Sequence, residues 1–155
     1  MKLIKRASKR AIADSNQRLP KSAISHIYEK NINDLLRSDR TTIEDLYQLG
    51  KKMNIPDLRV YWLSDYDKNY QGPQILNLGS SSLDREGTHW VCAYRGNYFD
   101  SFGIPPPPAL KHLDWVPLQK QDISEGRCGQ WCLMFIWYMN HGELDKFYKT
   151  FKTLN

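Results

Sequence analysis

A chain of 155 residues, 41% apolar and 25% charged, has the size and composition of one globular domain rather than a disordered segment. No run approaches the roughly 18 to 20 apolar residues of a membrane-spanning helix, and Lys2, Lys5 and Arg6 have no apolar stretch behind them, which argues against a secretory signal. The net charge of +5 is concentrated at one end. Residues 1–21 carry Lys2, Lys5, Arg6, Lys9, Arg10, Arg18 and Lys21 against Asp14 alone, a net +6, and the remainder sums to −1.

The expected organisation is a basic arm, 1–21, followed by a single domain, 22–155, that acts without a membrane, inside a cell or a particle. Such an arm suits contact with nucleic-acid phosphates, another acidic surface or the import machinery of a nucleus; the plain alternative is a solvated basic end. The domain begins with a helical pattern, Ala23, Ile24, Ile27, Tyr28, Ile32, Leu35 and Leu36 recurring at three- and four-residue steps. Thr41 followed by Glu44 reads as a capping box that opens a second helix. That helix presents Ile43, Leu46, Tyr47 and Leu49 and ends near Asn54, ahead of Pro56.

The middle third changes period. Residues 58–63 and 75–78 are short β-prone runs bounded by Asp, Gly and Pro. A hairpin follows, His89 to Tyr94 and Tyr98 to Phe102, with a turn containing Arg95-Gly96-Asn97. The proline run Pro105–Pro108 can only be extended, and Trp115–Leu118 reads as one more edge strand. From Cys128 to Asn140 the sequence is apolar on every face, the mark of a buried helix. Gly142 stops it, and 143–154 reads as an amphipathic tail helix. The class is α+β, a small, mainly antiparallel sheet packed on a buried helix.

Three cysteines, Cys92, Cys128 and Cys132, are too few for a disulfide framework, and neither redox-pair nor zinc spacing is present. A reducing compartment with a working thiol fits better. Attack by a thiol on a carbonyl needs the thiolate, which a helix N-terminus and a neighbouring imidazolium both favour. Cys128 opens the core helix behind the flexible stretch 124–127, and Gly129 allows close approach of another chain. Cys132, one turn on, reads as a small core hydrophobe.

His89 opens the hairpin, and Asp100 lies on its return strand. If Arg95 and Gly96 are the two loop residues, Asp100 faces Val91 and is the diagonal neighbour of His89 on the same face, about 7 to 8 Å away. If Gly96 and Asn97 form the turn, Asp100 faces Ala93 and falls out of reach. The first register is the expected one; it lets the carboxylate hold one ring nitrogen and leave the other for the thiol. Gln121, on the loop returning to Cys128, is the expected oxyanion donor beside the Cys128 backbone N–H, with Gln119 and Gln130 as competitors. His26, His112 and His141 read as structural, and the aromatics as core.

Taken in order, Gly87-Thr88-His89-Trp90, Tyr98-Phe99-Asp100-Ser101-Phe102-Gly103, Gln121 and Cys128-Gly129-Gln130-Trp131-Cys132 resemble the adenovirus endopeptidase (adenain) family. The likeness is closest to the forms carried by virophages and Polinton (Maverick) elements, and more distant to the SUMO-specific proteases. The resemblance implies a papain-like superfold with His89 as base, Asp100 as third triad member, Gln121 as oxyanion donor and Cys128 as nucleophile. It also implies that Trp90 packs beside the histidine and that substrates, which Trp90 and Gly129 help to bind, carry small residues near the cut. The implied activity is a cysteine endopeptidase that processes capsid or other virion precursor proteins in the virion and the infected cell. It works as a monomer with no metal or cofactor, and DNA or a small basic peptide can act as activator in relatives. An isopeptidase for ubiquitin- or SUMO-like modifiers and a non-enzymatic, basic DNA-binding virion protein are the alternatives.

Overall fold

A computed structural model describes residues 41–79, 89–121 and 126–149. The basic arm with Lys2, Lys5, Arg6, Lys9 and Arg10, the helical pattern of 23–36, His26, Gly87 and Thr88 lie outside these residues, as do 122–125 and 150–155.

The first described helix, α1 (Ile43–Lys52), starts one residue later than the Thr41–Glu44 pattern suggested. Thr42 is its N-cap: the Asp45 N–H donates to Thr42 Oγ1 at 3.1 Å, and the Thr42 N–H donates to Asp45 Oδ2 at 3.0 Å. Two overlapping boxes are written into Thr41-Thr42-Ile43-Glu44-Asp45. Thr41 is diverted instead, its carbonyl accepting from the Trp90 indole N–H at 3.4 Å. Replacing Thr42 by Ala is expected to cost about 1 kcal/mol, read as a lower urea midpoint at unchanged slope. The helix ends where Asn54 takes a left-handed φ of 55°.

Five strands follow: β1 (Arg59–Trp62), β2 (Gln74–Asn77), β3 (Trp90–Tyr94), β4 (Asn97–Phe99) and β5 (Asp114–Val116). They form one sheet in chain order, but it is mixed and not mainly antiparallel. β2–β3 and β3–β4 are antiparallel, while both edge pairs, β1–β2 and β4–β5, are parallel. The reason lies in the connections. Residues 63–73 and 100–113 are long enough to carry the chain back to the starting end of its neighbour, as a parallel pair requires. Leu63, Tyr66, Leu110 and Leu113 from these crossovers cover one sheet face, over Leu76, Val91, Ala93 and Tyr98.

The opposite face is built from the alternate residues Val60, Ile75, Cys92, Tyr94, Phe99 and Val116. Against it packs α2 (Cys128–Asn140), buried from Cys128 through Met139. A helix with no polar stripe has to be surrounded: the sheet covers one side, α1 and α3 (Leu144–Lys149) cover the others. Phe99 stacks on Phe135 at 4.8 Å, and Phe147 of α3 meets both edge-on. The architecture is α+β. Among the described residues no helix is long and apolar enough to cross a membrane.

Candidate active site

The β3–β4 turn decides whether His89 and Asp100 meet. Arg95 and Gly96 both have positive φ, 50° and 77°, so the loop is the two-residue, primed-type hairpin whose twist matches the strands. Tyr94 pairs with Asn97, Ala93 with Tyr98 and Cys92 with Phe99. One step further the register sets Asp100 opposite Val91, diagonal to His89. The side chains meet there: His89 Nε2 lies 2.7 Å from Asp100 Oδ1.

Both partners are enclosed, Asp100 with 1% and His89 with 13% of its side chain exposed, so water does not compete for the bond. β4 is shorter than the sequence suggested, because the chain turns at Asp100. The Gly103 N–H donates to the Asp100 carbonyl at 2.8 Å, with Gly103 at φ +75°. The Phe102 N–H donates to Asp100 Oδ1 at 2.8 Å. The same turn brings the Phe102 ring flat against the imidazole, centroids 4.1 Å apart and planes 2° apart.

With Nε2 donating to the carboxylate, Nδ1 is the nitrogen left for the thiol. It is buried and makes no hydrogen bond among the described residues. Burial lowers the histidine pKa, but the Asp100 carboxylate bonded to Nε2 and the nearby Cys128 sulfur outweigh it and raise the value to about 9. That direction favours the imidazolium on the thiol's side of the site.

Cys128 is the first residue of α2, where the first-turn amides have no intrahelical acceptor and the helix's own first turn carries no acidic residue. Its sulfur accepts from the Trp90 backbone N–H at 3.3 Å. All three cysteines are buried, Cys128 the least completely, with 5% of the residue exposed against 0% for Cys92 and Cys132. Burial raises the Cys92 and Cys132 pKa values far above the ordinary range, and Cys132 donates to the Trp90 carbonyl at 3.6 Å. They are core residues.

Gln121, 2% exposed, stands just ahead of the helix. Its Oε1 accepts from the Arg127 N–H at 3.3 Å, and its Nε2 donates to Ser101 Oγ at 2.6 Å. Of its competitors, Gln119 forms a bridge with Phe102 and donates to the Gln121 carbonyl at 3.2 Å, and Gln130 is buried inside α2. His112 bonds the Tyr66 hydroxyl at 2.9 Å and His141 bonds the Trp137 carbonyl at 2.8 Å, both away from the thiol.

Trp90 and Gly129 make further contacts around the site. The ring stacked on His89 belongs to Phe102, while the Trp90 indole packs in the main core and its main chain serves the sulfur. A Cβ on Gly129 would stand 2.7 Å from Leu46 Cδ2 and from Thr41 Oγ1. The side chains that crowd this glycine belong to Thr41 and to Leu46 of α1. Sequence reasoning gave no role to Ser101, Phe102 or the Trp90 N–H. The reversal of the chain at Asp100, marked by Gly103, was the available signal for the first two.

Comparison with protein-family models, with curated proteins and with solved structures finds no match to this chain.

Proposed function

We propose that the chain is a cysteine endopeptidase with Cys128 as nucleophile, His89 as base, Asp100 as the carboxylate that orients the ring and Gln121 as oxyanion donor. The observation that carries the reading is the buried 2.7 Å His89–Asp100 bond. It commits Nε2 and leaves Nδ1 for the thiol at the head of α2.

In this mechanism the Cys128 sulfur attacks the scissile carbonyl carbon while its proton resides on His89 Nδ1. The negative charge that develops on the carbonyl oxygen is met by the Cys128 backbone N–H and an N–H of the Gln121 amide. His89 gives the proton to the departing amine, leaving a thioester on Cys128. It then takes a proton from the water that hydrolyses the thioester, and the free thiol returns. Asp100 stays ionised and keeps the proton of Nε2 directed at itself.

By resemblance the substrates are capsid or other virion precursor proteins, cut beside small residues in the particle or the infected cell, with the basic arm available to nucleic acid. The test is an irreversible thiol alkylator with mass mapping, run beside separate digests of a capsid precursor and a modifier conjugate. Selective labelling of Cys128 over Cys92 and Cys132, with cleavage of the precursor, is expected. Equal labelling of all three thiols sinks the activated nucleophile, and cleavage of the conjugate alone turns the reading to an isopeptidase.

A further inference from the structure

An oxyanion donor is useful only if it is already aimed when charge develops, because reorienting it during the reaction forfeits the gain. A glutamine amide is poorly suited to this by itself: its terminal torsion is broad and roughly two-fold, so the oxygen and nitrogen ends interchange at little cost. Two contacts remove that freedom from Gln121. The Arg127 N–H can only donate, so the amide end 3.3 Å from it has to be the oxygen. The opposite end, the NH2 group, is then pinned by Ser101 Oγ at 2.6 Å.

Ser101 is fully buried, which makes its hydroxyl a fixed acceptor in a dry site. Its carbonyl adds to the hold, accepting from the Lys120 N–H at 2.8 Å and the Gln121 N–H at 3.2 Å. Ser101 also sits between Asp100, which holds the imidazole edge, and Phe102, which stacks on its face.

We infer that Ser101 is a positioning residue for the oxyanion donor: its hydroxyl takes one N–H of the Gln121 amide so that the other is aimed at the reacting carbonyl oxygen. The inference rests on the protease reading and deepens it. One turn, Asp100 to Gly103, thereby aligns the base and the oxyanion donor together, although they reach the site from different parts of the chain.

The experiment measures kcat and KM of the full chain on a peptidyl-Gly-Gly-aminocoumarin for the wild type, Ser101→Ala, Ser101→Thr, Gln121→Ala and the Ser101→Ala/Gln121→Ala double variant. Gln121→Ala is expected to lose about 10²-fold in kcat. Ser101→Ala is expected to lose about 10-fold in kcat at unchanged KM, and Ser101→Thr, which keeps the hydroxyl, to recover most of it. The double variant should be no slower than Gln121→Ala alone, since both changes remove one device. Alkylation of Cys128 by iodoacetamide, a reaction that builds no oxyanion, should keep its wild-type rate in Ser101→Ala.

Wild-type kcat in Ser101→Ala, losses that multiply in the double variant, or an equal fall in alkylation rate each overturn the role of Ser101. If Ser101→Ala does not fold, Ser101→Cys, close in size and a weak acceptor, is judged by the same criteria. A wild-type chain that leaves the peptide uncut rejects the protease reading itself, and so the two failures are distinguishable.

Discussion

Replacing Cys128 by Ala is expected to lower kcat/KM about 10⁶-fold, the scale on which removing a covalent nucleophile acts, with residual activity from binding and the oxyanion donors alone. The control is Cys132→Ala, one helical turn away. Cys132 is fully buried with its thiol bonded to the Trp90 carbonyl, so the change trims the core and leaves turnover near the wild-type level. Its cost appears in stability, about 1 kcal/mol. Steady-state kinetics with thermal unfolding on both variants separates the two. A Cys128→Ala chain that still processes precursor sinks the proposed function. A Cys132→Ala chain that is as inactive as Cys128→Ala means that the wrong thiol has been assigned.

That these two cysteines differ was legible because helical periodicity is a local property. The bounds of α2 and its burial on all sides follow from short-range patterning, an apolar run closed by Gly142, while the β3–β4 hairpin allowed two registers, of which the expected Arg95-Gly96 turn is the one formed. The direction of the edge strands did not follow. Alternation within 59–62 and 114–116 is the same whether a strand runs parallel or antiparallel to its neighbour, and the crossovers decide it. The frame of the α1 cap, expected at Thr41, is set at Thr42, while the Thr41 carbonyl accepts from Trp90, far along the chain. Contacts of this kind also set the finer parts of the candidate site. The Ser101–Gln121 bond, the Phe102–His89 stack and the Trp90 N–H on sulfur join distant segments, and in sequence only Gly103, marking the turn after Asp100, points toward the first two.

The second large effect concerns Asp100, and two substitutions divide what it does. Asp100→Ala removes both the acceptor for His89 Nε2 and the charge, and a loss of about 10³- to 10⁴-fold in kcat/KM is expected. Asp100→Asn should lose less, about 10²-fold. The Phe102 N–H, 2.8 Å from Oδ1, can only donate, so it selects the oxygen of an Asn amide at that position and preserves the acceptor for Nε2. The tautomer survives and the charge does not.

The charge has a signature in pH. Burial lowers the His89 pKa, and the Asp100 carboxylate with the nearby Cys128 sulfur brings it up to about 9. Wild-type kcat/KM is therefore expected to hold through neutral pH and fall as the imidazolium is lost near pH 9. In Asp100→Asn that limb moves down, because burial is then opposed by less. A wild-type limb near 6.5, the ordinary histidine value, overturns the assignment, as does a limb unmoved by the substitution.

Stability carries the same sign. The folded-state value lies above the unfolded one, so the protonated histidine favours the fold fully below about pH 6.5, and that contribution is lost as pH rises through about 9. The shift corresponds to about 3 kcal/mol. Urea unfolding at pH 6 and pH 10 should show that decline in the wild type and a smaller one in Asp100→Asn. The kinetic limb and the stability slope then report one proton on one ring, held by a carboxylate that the hairpin register brings within 2.7 Å.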